Sequence, residues 1–171
     1  MGRAMVREDF EAAGKALYAL ANKAVTTGLE VAPFMFILRL DEEHRVTIVI
    51  PVDCGIFFEE RMGTGGKKMA AMILERLSRT PETDIAALVT EAFVLEATEE
   101  ELTEAPVEGS LETDPRHKEC VVAFLRTPDF TTIASWALDR DNKKLVYEPV
   151  KWGGDGLTGR FSHRAKGQAL N

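Results

Sequence analysis

Apolar residues Phe10, Ala13, Leu17, Leu20 and Ala24 recur at three- and four-residue steps near the start of the chain. That spacing gathers them on one side of a helix, which is predicted from about Arg7 to Thr27. Glu8 and Asp9 suit its N-terminal dipole, and Gly28 stands where a left-handed stop is wanted. The pattern then changes. "APFMFILRL" and "HRVTIVIPV" are apolar runs flanking the polar turn "DEE", which predicts a β-hairpin inside a covered sheet. A second helix follows "MGTGG", with Met69, Ile73 and Leu77 on its buried stripe, and it ends before Pro81.

"DIAALVTEAFVLEA", residues 84–97, reads as a long central strand, although its Ala and Leu also suit a helix. Residues 98–118 are acidic, interrupted by Pro and Gly, and read as a long loop outside the core. The runs "ECVVAFLRT", "TTIASWALDR" and "KLVYEPVKW" follow as strands, joined by "PDF" and "DNK" turns into an antiparallel meander. Residues 153–171 are glycine-rich and basic and read as a tail. The order α-β-β-α-β-loop-β-β-β predicts a single α+β domain over residues 1–152. Its mostly antiparallel sheet would have about six strands, with two helices packed on one face.

Composition narrows the setting. At 171 residues, 45% hydrophobic and 29% charged, the chain has the make-up of one soluble globular domain. A net charge of −7 disfavours non-specific grip on nucleic acid or anionic membrane. No stretch approaches a membrane span, the start lacks the apolar core of a signal peptide, and Val6 stands where myristoylation wants Ser or Thr. Cys54 and Cys120 are far apart without a Cys-x-x-Cys spacing, which excludes a zinc ribbon or disulfide scaffold. The expectation is a cytoplasmic protein with no cofactor.

The glycines of "MGTGGKKMAAMILERL" raise the question of a phosphate loop. A P-loop fails, because Arg61 holds the first glycine position and Lys68 replaces the magnesium-binding hydroxyl. A dinucleotide fingerprint fails too, with Lys68 where the third glycine belongs. What remains is a turn capped by Thr64, whose neighbours Gly65, Gly66 and Lys67 form a weak anion-binding candidate at a helix start.

Glu91 is the sharper anomaly. It sits in the middle of a strand apolar on both faces, so it needs a cationic partner or a raised pKa. Either it is a buried ion pair, with Arg126 or Arg39, or it is a site carboxylate. "DPRHKE" adds Asp114, His117 and Glu119 at the mouth of the next strand, candidates for acid–base work or for a divalent metal. The alternative is a charged strand entrance, and the spacing matches no strong metal motif. "DRDNKK", residues 139–144, lacks the glycine and glutamate of a calcium loop and reads as a hairpin turn. Cys120 reads as inert core.

Charge is also unevenly distributed. Glu96, Glu99, Glu100, Glu101, Glu104, Glu108, Glu112, Asp114 and Glu119 face only Arg116 and Lys118 within residues 96–119. From Lys151 onward, Lys151, Arg160, Arg164 and Lys166 face Asp155 alone. Such a loop and tail are either solvated surface or complementary partners within or between subunits.

"TEAF" at residues 90–93, the acidic stretch and "DPRHKE" together resemble an uncharacterised family common in phages and bacteria. Its members end one strand with Ser/Thr-Glu-Ala-Trp and open the next with Pro-x-Arg-x-Glu. Glu91 matches the first acid, and Pro115 and Glu119 match the second motif. Phe93 replaces the Trp, and His117 takes the Arg position. The resemblance spans residues 33–127, implies no activity, and directs attention to Glu91 and Glu119 together in a phage or mobile-element setting. The functional expectation is a non-enzymatic binding or assembly module acting as a homo-oligomer or with a protein partner. Two alternatives stand beside it: a small metal-assisted hydrolase using Glu91, Asp114, His117 and Glu119, and a small-ligand or nucleotide-binding protein.

Overall fold

A computed structural model, which describes residues 3–109 and 111–151, realises the predicted order of elements. The helices are α1 (Arg7–Thr26), α2 (Gly63–Ser78) and a short α3 (Glu99–Glu104). The strands are β1 (Phe34–Leu40), β2 (Val46–Asp53), β3 (Ile85–Val94), β4 (Lys118–Arg126), β5 (Thr131–Asp139) and β6 (Lys144–Val146). All six strands join one antiparallel sheet in the order β2-β1-β3-β4-β5-β6, so the fold is α+β and β3 lies inside the sheet.

The two apolar rows of β3 explain how the layers stack. Ile85, Ala87 and Val89 pack with Phe10, Ala13, Leu17, Ala21 and Val25 of α1. Ala86 and Leu88 point the other way, into a cluster with Met35, Cys54, Ala70 and Leu74 of α2. Successive side chains of a strand leave opposite faces, so α1 and α2 cover opposite sides of the sheet. The expectation of two helices on one face is corrected by this. A strand apolar on both rows needs cover on both.

The predicted full cover of the hairpin is also corrected, because β2 is an edge strand. Helix α2 packs over β1, β3 and β4. A helix is about 10 Å across and strands lie roughly 4.8 Å apart, so one helix shields two or three of them. On the α2 side, Ile48 and Ile50 stay 43% and 46% exposed.

The opposite edge is guarded differently. β6 keeps only three residues of the longer run predicted, since Pro149 has no N–H to offer a ladder. Lys151 rejoins β5 through a bridge to Ile133. Both main-chain groups of Leu145 are taken by α1: its N–H donates to Asn22 Oδ1 at 2.9 Å, and its carbonyl accepts from the Tyr18 hydroxyl at 2.9 Å. Tyr18 also stacks edge-to-face on the fully buried Trp136 at 5.5 Å.

The acidic stretch is not all loop. Thr98 Oγ1 accepts from Glu101 N, and the Glu101 carboxylate accepts from Thr98 N at 2.7 Å, a reciprocal cap that starts α3. The predicted domain boundary at residue 152 and the basic tail, residues 153–171, lie outside the described residues. Among the described residues no helix is long and apolar enough to cross a membrane.

Candidate functional site

The antiparallel register of β3 and β4 sets Phe93 opposite Glu119 and Glu91 opposite Val121. Glu91 and Glu119 therefore emerge on the same face, the one covered by α1. Arg140, in the turn after β5, joins them. Its Nε donates to Glu119 Oε2 at 2.6 Å and its Nη2 to Glu91 Oε2 at 3.2 Å. The other Glu91 oxygen accepts the Val31 N–H at 2.9 Å.

Glu91 is thus paired, but with neither of the partners expected. Arg126 and Arg39 occupy positions of their strands that point to the α2 side, as their register partners Ala86 and Ile48 do. Arg126 instead meets Glu75 of α2 at 3.7 Å. At 26% side-chain exposure Glu91 is half-buried, because it lies near the open end of β3.

The "DPRHKE" residues converge less than expected. The Asp114 carboxylate is engaged by Arg116, through the main-chain N–H at 2.9 Å, Nε at 3.0 Å and Nη2 at 2.7 Å. These bonds hold its pKa down at about 2. His117 Nδ1 lies 2.6 Å from the Asp114 carbonyl oxygen, so that nitrogen carries the proton. Its ring meets Phe93 edge-to-face at 4.9 Å. Asp114, His117 and Glu119 consequently serve three different partners. Among the described residues no three His, Cys, Asp or Glu side chains are grouped to hold a metal.

The glycines also have a packing role. Thr64, Gly65, Gly66 and Lys67 lie inside the first turns of α2, after an N-cap at Met62 that supplies no side-chain bond. The expected turn capped by Thr64 is corrected accordingly. A Cβ on Gly66 would stand 2.2 Å from the Phe57 carbonyl oxygen, so this glycine lets the 3-10 turn Gly55–Phe58 press against the helix. Gly65 faces open space. Both thiols are buried, and burial pushes Cys54 up to about 11 and Cys120 upward as well, which leaves neither as a neutral-pH nucleophile.

A polar centre that sequence reasoning missed sits at the start of α1. The Asp9 side chain is fully shielded and accepts from Arg3 Nη1 at 2.9 Å, Arg3 Nη2 at 2.5 Å, Val6 N at 2.8 Å and His44 Nδ1 at 2.9 Å. Burial pushes its carboxyl up, but the bonds from Arg3, Val6 and His44 outweigh this and leave it below the ordinary range. The signal was available. Asp9, Ala13, Leu17, Ala21 and Val25 form one i,i+4 ladder, so Asp9 belongs to the buried stripe.

The remaining feature of note is apolar. Ile48 and Ile50 lie on the same face as α2, whose Met69 and Met72 are exposed at 47% and 58%. Pro51, in the same edge strand, has no N–H with which to extend the ladder, so this surface can pack but resists strand-to-strand pairing. Comparison with known protein families, curated proteins and solved structures finds no match.

Proposed function

We propose that this protein is a non-enzymatic assembly module that works as a homo-oligomer through the exposed apolar face of β2. The observation that carries this reading is the exposure of Ile48 and Ile50 on one face of an edge strand that α2, packed over β1, β3 and β4, leaves uncovered. The chemistry of the polar clusters supports it. The Glu91, Asp114 and Glu119 carboxylates are each tied to a guanidinium, and His117 is turned onto Phe93, which ranks metal-assisted hydrolysis second. The phage or bacterial accessory setting is taken from the motif resemblance.

Light scattering over a hundredfold range of protein concentration tests the proposal. The expected result is a mass above one protomer that falls to one protomer in the double variant Ile48→Glu, Ile50→Glu. Arg140→Gln serves as a control that leaves the mass unchanged. A single-protomer mass for the native chain throughout overturns the reading.

A further inference from the structure

The exposed face of β2 carries charge as well as apolar surface. Ile48 and Ile50 share their side of the sheet with Arg39, which the register sets directly opposite Ile48. The core-facing line of α2 runs through Ala70 and Leu74, and Glu75 on one flank reaches Arg126 of β4. Met69, Ile73 and Arg76 follow at four- and three-residue steps along the other flank, which therefore lies on the β1–β2 side. Arg39, Arg76 and Met69 are exposed, as are both isoleucines. Neither of these two arginines has an ion pair among the described residues.

The charge that would answer them lies elsewhere on the same chain. Glu99, Glu100, Glu104, Glu108 and Glu112 are exposed and make no ion pair among the described residues, and Leu111, between the last two, is 37% exposed. Within one copy this stretch does not cover the β2 face, because Ile48 and Ile50 are exposed with α3 in place. An apolar centre edged by unpaired guanidiniums suits an apolar side chain edged by carboxylates, since complementary charge steers a contact and fixes its register. We propose that the β2 face of one copy takes the acidic stretch of the next, with Leu111 against Ile48 and Ile50 and the α3 glutamates on Arg39 and Arg76. Such a contact presupposes the homo-oligomer proposed above and gives it a direction. Two different patches meet, so the contact is heterologous and builds a ring or a row of copies rather than a twofold pair.

Light scattering on two full-length variants and their mixture tests this. Ile48→Glu with Ile50→Glu removes the receiving face, and Glu100→Lys with Glu104→Lys reverses the inserted charge. Each alone should lose association and scatter as one protomer. Mixed in equal amounts they should give a two-protomer mass, because one keeps the acidic stretch and the other keeps the face. High salt should dissociate that pair. Arg39→Glu with Arg76→Glu repeats the test on a receiving face altered only at exposed side chains, and should behave as the isoleucine variant does. If the native chain is a single protomer, the homo-oligomer reading falls and this proposal with it. If the native chain associates but Glu100→Lys with Glu104→Lys associates equally, or the mixture stays at one protomer, this proposal alone is overturned.

Discussion

Arg3 and Asp9, six residues apart, meet in a two-bonded fork at 2.9 and 2.5 Å, with the carboxylate fully shielded from water. Asp9→Asn removes the buried charge itself and leaves Arg3 and His44, whose side chains are about a third exposed and can be solvated, so the loss is of charge-assisted hydrogen bonds rather than of a fully buried pair. It should therefore destabilise the fold by about 1–3 kcal/mol at neutral pH. The pH dependence has a definite sign. The native carboxyl lies below its ordinary value of 3.8, so its contribution is complete above about pH 4 and is lost as pH falls through the native value. The gap between the urea midpoints of native and variant proteins should hold from pH 7 to about pH 4 and narrow as pH falls further. A gap that stays constant would contradict this account.

The glycines of α2 offer two substitutions of opposite sign. Alanine is favoured over glycine in a helix by up to about 1 kcal/mol. At Gly65, where an added Cβ meets nothing within 4 Å, Gly65→Ala should stabilise by up to that amount. At Gly66 the same methyl would stand 2.2 Å from the Phe57 carbonyl oxygen and 2.6 Å from Met62 Cβ. Overpacking of that kind typically costs about 1–3 kcal/mol and outweighs the helical gain. Thermal melts of the two variants should move in opposite directions. Equal shifts would mean that Phe57 does not press on the helix.

How much of this was legible depended on which contacts are local. Periodicity located α1, and the two apolar rows of "IAALV" placed β3 inside the sheet, because each residue's environment repeats along the element. The same rows implied opposite-face helices, but helix placement is a property of the whole stack. The α3 start was locally encoded in Thr98 and Glu101, three residues apart, and was obscured by the surrounding acids. Glu91 was recognisable as needing a cation. That its cation is Arg140 follows only from strand register, which brings residues 49 positions apart to 3.2 Å. A cleft lined by segments near residues 3, 80 and 128 joins distant parts of the chain, and no pattern within any one of them announces it.

Arg140 should behave as a surface clamp rather than a buried linchpin. Its side chain is exposed and its two carboxylate partners are half-exposed, so Arg140→Met should cost about 0.5–1 kcal/mol. High salt should shrink that cost, since exposed pairs are screened over about 3 Å at 1 M ionic strength. Paired chemical denaturation at low and high salt measures it. A cost several times larger, or one indifferent to salt, would show that Glu91 is desolvated in solution.

The β6 edge provides the most local test of how α1 and the sheet are joined. Leu145 is buried, and its N–H and carbonyl are both satisfied by α1 side chains, Asn22 and Tyr18. Leaving a buried donor without an acceptor costs about 1–3 kcal/mol, whereas a carbonyl with two lone pairs tolerates the loss of one partner better. Asn22→Ala should accordingly destabilise more than Tyr18→Phe, which keeps the ring on Trp136. Hydrogen exchange sharpens the distinction. In Asn22→Ala the Leu145 amide should exchange faster by a larger factor than the amides of β4, because the loss is confined to the edge strand. Uniform acceleration across the sheet would instead mean that Asn22 supports the whole domain, and unchanged Leu145 exchange would mean that its N–H has another acceptor.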